Sequence, residues 1–163
     1  MIRLRPLMLK DAPLMLEWMH DPQIASNFQT DFINMTLEHV TSFIKNSWSQ
    51  TNRHYAVVDE TDEYLGTMSL KNIDFHNRNA EYAVCLRRKA QGTNAAMDAT
   101  KQLFEVAFQE LKLHKVYLNV YTDNLRANRF YQKAGFVYEG CSKDAVCVRG
   151  VFKSLNWYGI IGD

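Results

Sequence analysis

Asn124 and Tyr131 stand seven residues apart in NLRANRFYQKAGF, two turns of a helix, so their side chains share a face that the small Ala127 leaves open. Such a face can receive a ligand, and a phenol of pKa ~10 stays protonated at neutral pH. The same positions also read as a core stripe of Ala127, Phe130, Tyr131 and Ala134. Upstream, Glu81 could accept a proton directly or through a water, or could be a solvent-facing residue paired with an arginine. Cys85 has no histidine tied to it in sequence and reads as a buried strand thiol rather than a nucleophile.

QGTNAAMDAT, Gln91 to Thr100, has the look of a glycine turn opening a helix, where unpaired N–H groups and the helix dipole favour an anion. Gly92, Ala95 and Ala96 would let a pyrophosphate approach the backbone, while Thr93 or Asn94 could simply cap the helix. Arg87, Arg88 and Lys89 precede the turn and could meet further phosphates or form a solvated basic strand end.

These residues need elements to hold them. IRLRPLML reads as an edge strand, followed by a helix from near Asp11 with Leu14, Leu16, Trp18 and Met19 on its apolar face. TLEHVTSFIKNSW, capped by Thr36, places Leu37, Val40, Phe43, Ile44 and Trp48 at helical spacing. HYAVVD, YLGTMSLKNID and AEYAVCLRR predict a three-stranded antiparallel meander. A helix with Ala96, Ala99, Leu103, Val106 and Ala107 in one stripe then leads to KVYLNVYT, a parallel, right-handed strand–helix–strand unit over Ala80 to Thr122. A short helix runs from Asn124 to Gly135. FVYEGC and VFKSLNWYGII follow as two last strands, separated by the polar KDAVCVRG.

At 163 residues, 47% hydrophobic and 23% charged, the chain is expected to form one globular domain over 1–163. Its apolar runs are too short to span a bilayer, and MIRLRPLMLKDAP is interrupted by charge and proline before a secretion signal could form, so no membrane partner and no export are expected. Cys85, Cys141 and Cys147 make no Cys-x-x-Cys pair, which points to a reducing cytoplasm. The five histidines are scattered, so no metal is expected, and a net charge of +1 argues against a nucleic-acid partner.

The two motifs in this order resemble the GCN5-related N-acetyltransferase (GNAT) superfamily over nearly the whole chain. Its Gln/Arg-x-x-Gly-x-Gly/Ala loop corresponds to Gln91, Gly92, Thr93, Asn94, Ala95 and Ala96. Its Asn-x-x-Ala-x-x-x-Tyr-x-Lys-x-Gly-Phe helix corresponds to Asn124, Ala127, Tyr131, Lys133, Gly135 and Phe136. Asn94 departs from the loop at its fourth position, where it could supply a positive φ in place of glycine. LRPL, RNAEYAV and LHKVYLNV resemble the branch of ribosomal-protein N-terminal, spermidine and nucleotide-amino-sugar acetyltransferases.

The resemblance implies an α+β fold, a mixed α/β/α sandwich. Its central, mostly antiparallel twisted sheet has six to seven strands and a parallel splayed pair, with helices on both faces. It implies acetyl-CoA as co-substrate, with pantetheine on the backbone of Val84, Cys85 and Leu86 and the pyrophosphate on N–H groups from Gln91 to Met97. Tyr131 becomes the acid for the departing thiolate and Glu81 the candidate base. A base is needed because a lysine-like amine is neutral in only about one molecule in 2,500 at pH 7. The acceptor would be a nucleotide-linked amino sugar, a polyamine or a protein N-terminus. The alternative is a non-catalytic acyl-CoA-binding module. Residues 22–35 and the connection from Lys143 to Val151 are expected to build the acceptor pocket, with Asp21, Asp31, Asp144, Phe28, Phe32, Trp48 and Arg149 available. Monomer and homodimer both remain open, the last strand being either shared at an interface or part of the core.

Overall fold

The computed structural model describes residues 1–162; the expected domain's last residue, Asp163, lies outside them. In chain order come β1 (Arg3–Pro6), α1 (Ala12–Met19), α2 (Pro22–Ala25), α3 (Leu37–Lys45), β2 (Arg53–Val58), β3 (Tyr64–Asp74) and β4 (Asn79–Leu86). They are followed by α4 (Ala95–Phe104), β5 (Lys115–Tyr121), α5 (Leu125–Lys133), β6 (Val137–Val148) and β7 (Val151–Ile161). The strands form one seven-stranded sheet in the order β1-β2-β3-β4-β5-β7-β6, in which β4 and β5 are the parallel pair and the other neighbours are antiparallel. The α+β class and the splayed sheet expected from the resemblance are present.

Alternation along the strands fills two apolar layers. On one face Met68, Leu70, Tyr82, Val116 and Leu118 pack beneath Ala95, Ala99, Leu103 and Ala107 of the α4 segment, with Ala127 and Phe130 of α5 against the same cluster. On the other, Ala56, Val58 and Cys85 meet Met15, Trp18, Val40 and Ile44 of α1 and α3. Truncating a fully buried side chain such as Leu103 would cost about 2–5 kcal/mol.

Several boundaries differ from the sequence reading. The buried stripe of α1 is Ala12, Met15, Trp18 and Met19, with Leu14 and Leu16 only partly covered. Helix α3 ends at Lys45, so Trp48 lies beyond it, exposed, with its ring under Arg53 at 5.0 Å. The α4 stripe begins at Ala95 rather than Ala96, and its final turns widen into π-type bonding over Glu105–Glu110. KDAVCVRG is not a loop. Six of its residues, Lys143–Val148, extend β6, and Arg149 and Gly150, both at positive φ (49 and 80), make the two-residue turn of a long hairpin. Strand β7 lies between β5 and β6, inside the sheet, and β6 forms the edge.

Candidate active site

The parallel pairing of β4 with β5 is short: Asn79 faces Lys115, Ala80 faces Val116 and Glu81 faces Tyr117. Beyond Glu81 the strands part, so β4 from Tyr82 to Leu86 keeps its partner β3 on one side and, among the described residues, has no paired strand on the other. Backbone groups on that open side need a partner from outside the sheet. A cleft of about 910 Å³ opens at this fork, with Glu81 at its apex and Val84, Cys85 and Leu86 along one wall. Gly66 of β3 lets the wall close up: a Cβ built there would overlap the Cys85 carbonyl oxygen and lie 2.9 Å from Leu86 Cα.

The turn after β4 shapes the far end. Gly92 takes φ 77, and nothing lies nearer to its absent Cβ than an Arg126 guanidinium nitrogen at 3.8 Å. Asn94 has φ −77, so the positive φ expected there belongs to Gly92. Thr93, not Asn94, supports the helix start, its Oγ1 accepting from Ala95 N–H at 3.2 Å. Arg126 donates to Gln91 Oε1 at 3.1 Å and bridges this turn to α5.

The basic run divides. Arg87, 9% exposed, is a structural group that donates to Glu17, Glu63 and the Tyr64 carbonyl, and Lys89 pairs with Glu63. Arg88 lines the cleft and holds Asp21 through both carboxylate oxygens, at 2.8 and 2.7 Å. The run is therefore neither a solvated strand end nor three free phosphate ligands.

Helix α5 supplies the opposite wall. Asn124 caps it, accepting from Ala127 N–H at 3.3 Å, and Asn124, Ala127 and Tyr131 all line the cleft. Asn128 ties the helix to the sheet: its amide donates to the carbonyls of Tyr121 and Asn124, and its Oδ1 accepts from Asn156 and from the Tyr158 hydroxyl, each at 2.8 Å. Tyr131 is 9% exposed, its ring packed edge-on against Tyr82 and Phe136. The buried hydroxyls of Tyr82 and Tyr158 are satisfied by Thr100 and Asn128, whereas Tyr131 has no side-chain hydrogen bond among the described residues. Burial, then the neighbouring Cys85, pushes the Tyr131 hydroxyl well above the ordinary tyrosine range, and burial also raises the Cys85 thiol. At neutral pH both keep their protons, which suits Tyr131 to proton donation and leaves Cys85 a poor nucleophile.

Among the described residues Glu81 does not pair with an arginine. Its partners are Lys71 Nζ at 3.3 Å and the Asn72 amide at 3.3 Å, both from β3. Residues 23, 24 and 27–30 roof this side of the fork, Phe28 stacking edge-on with Phe32. Of the residues expected to meet the acceptor, Phe28 lines the cleft. Phe32, Trp48 and Arg149 do not, nor does any residue from Lys143 to Val151, because the hairpin carries that segment away. Asp21 is held by Arg88, Asp31 accepts from the Asn34 amide, and the Asp144 N–H donates to Ser154.

The structure thus gathers Glu81, Val84, Cys85, Leu86, Gln91, Gly92, Thr93, Ala96, Asn124, Ala127 and Tyr131 at one cleft. Asn94 and Lys133 are exposed outside its lining, Ala95 is buried in the core, and Met97 lies beyond the lining on α4. The sequence reading missed Lys71, Asn119, Arg126 and Phe130. Arg126 stands within the recognised α5 motif between two of its landmarks, but Lys71 and Asn119 carry no local signal.

The chain matches a family model described as an acetyltransferase (GNAT) domain over residues 2–137. It is 28% identical to the uncharacterized N-acetyltransferase p20 of Bacillus licheniformis, over 98% of this chain and 92% of that protein. It is 27% identical to the spermidine N(1)-acetyltransferase of Escherichia coli K12, over 94% of this chain and 82% of that protein. The crystal structure of Vibrio cholerae spermidine N-acetyltransferase in complex with CoA and spermine superposes with a TM-score of 0.89 at 23% identity, covering 98% of this chain and 95% of that one. With the family model spanning most of the chain and the forked sheet in place, the chain belongs to the GNAT acetyltransferase family, whose members carry an acetyl group from acetyl-CoA to an amine.

Proposed function

We propose that this chain works as one cytoplasmic domain in which the cleft binds acetyl-CoA and acetylates a primary amine directly. The observation that carries the reading is the parting of β4 from β5 after Glu81 and Tyr117, which leaves a free strand edge leading to the Gly92 turn. The fit to acetyl-CoA is good. An extended pantetheine can pair with the open side of Val84, Cys85 and Leu86 as an added strand. The N–H groups at the start of α4 suit a pyrophosphate, with Arg126 and Arg88 at hand for its charge. Acetyl-CoA supplies the activated thioester; the protein's residues supply position and protons. A backbone N–H near Val84 polarises the acetyl carbonyl, and Tyr131 gives its proton to the leaving sulfur. Glu81, on the other sheet face at the fork, takes a proton from the incoming amine directly or through a water.

The acceptor class starts from the relatives: the Escherichia coli and Vibrio cholerae proteins are named for spermidine. Thiol release from acetyl-CoA in the presence of a panel of primary amines tests the reading. Amine-dependent thiol release is expected, and acetyl-CoA binding without turnover across the panel would establish the non-catalytic acyl-CoA-binding module instead.

A further inference from the structure

The acceptor side of the fork carries an unusual charge arrangement for a protein some of whose relatives are named for spermidine. Asn27, Gln29, Thr30 and Asn119 offer neutral hydrogen-bonding groups there. Among the described residues lining the cleft, Glu81 is the single carboxylate, and Lys71 stands 3.3 Å from it and cancels its charge. Asp21 has both of its carboxylate oxygens taken by Arg88, itself a lining residue. Holding a polycation requires several carboxylates facing it, and a chain of ammonium groups would meet Lys71 head on. Lys71 itself has capacity to spare: its ammonium has three donors, the contact with Glu81 is long, and the side chain is 36% exposed. The neighbouring His54 is held neutral by burial and by the Lys71 charge, with a pKa lowered to about 4, so it adds no second positive charge beside Lys71.

Resting on the acetyl-transfer reading, we propose that Lys71 selects acceptor amines that carry an anionic group, a phosphate or a carboxylate, within its reach, and that it turns polyamines away. An anion on the acceptor would draw the Lys71 ammonium from Glu81 and leave that carboxylate facing the amine. One side chain would then read the substrate's negative group and free the base together.

The test measures acetyl transfer to matched amines in the wild-type protein, Lys71→Gln and Lys71→Glu: glucosamine against glucosamine 6-phosphate, propylamine against β-alanine, and spermidine. The two pairs separate phosphate from carboxylate as the source of the charge. The wild type is expected to favour at least one anionic member by roughly tenfold or more in kcat/KM, Lys71→Gln to erase that advantage, and Lys71→Glu to turn the preference towards spermidine. A parallel readout needs no turnover: in the presence of CoA the favoured anionic amine should raise the Tm of the wild type and not of Lys71→Gln. The proposal is overturned if spermidine is the best wild-type acceptor, or if the anionic advantage survives in Lys71→Gln. Absence of transfer to every amine, with acetyl-CoA still bound, would instead refute the acetyl-transfer reading and this proposal with it.

Discussion

Tyr131 is held by packing rather than by hydrogen bonds. Its ring is wedged among Tyr82, Phe130 and Phe136, and its hydroxyl faces the cleft without an internal side-chain partner among the described residues. Removing the hydroxyl should therefore leave the ring in place and take away only the proton. Tyr131→Phe is expected to lower kcat by roughly 10²-fold or more while the Kd for acetyl-CoA, measured by calorimetry, stays nearly unchanged. An unaltered kcat at saturating substrates would remove Tyr131 from the mechanism. His54 makes a second prediction at this scale. It contacts Ser69 at 2.6 Å and packs against the tilted ring of Phe43, and burial depresses its pKa from 6.5 to about 4. The unfolded chain binds the proton first as pH falls, so His54 contributes stability that is full above pH ~6.5 and lost as pH drops towards about 4, on the order of 1–2 kcal/mol for a ring that keeps some surface in water. Thermal melts should show His54→Gln with a flatter Tm over that window than the wild type.

At the scale of elements, the site depends on where two strands stop pairing and on how closely β3 backs β4. Gly66 faces Leu86 across the ladder with no room for a side chain. Gly66→Ala should push the end of β4 into the cleft, raise the Kd for acetyl-CoA roughly tenfold or more, and cost on the order of 1–3 kcal/mol in denaturant melts. Unchanged affinity would mean that the open edge of β4 is not where the thioester arm lies. The turn after β4 shows why an element can be read correctly while its details are not. The helix start and Gly92 follow from local rules. The capping residue and the site of positive φ depended on how Ala90 and Thr93 fold back on one another, which spacing does not encode.

Across the whole molecule, the N-terminal strand and first helix are clamped to the sheet by charge. Asp11, 2% exposed, accepts from both terminal nitrogens of Arg5 at 2.8 Å, and Asp62 on the β2–β3 turn accepts from Arg5 and Lys10. Asp11→Ala strands a buried guanidinium and is expected to cost about 3 kcal/mol, read as a drop in the denaturant midpoint with little change in the Kd for acetyl-CoA. A stability loss below about 1 kcal/mol would show that Asp62 alone suffices. The sequence by itself determined the order of elements, the α+β class, and the loop and helix that carry the family likeness. The elements come from periodicity and caps, and the class from the resemblance that the two short motifs carry. Only the tertiary structure decided that Arg87 is a buried structural cation, that Lys133 and Asn94 stand outside the cleft, and that the segment from Lys143 to Val151 is a hairpin end. It alone placed Lys71 against Glu81. That pair joins neighbouring strands across an antiparallel ladder, and a sheet's register is set by which faces bury and which turns close, not by any signal that either residue carries in its own neighbourhood.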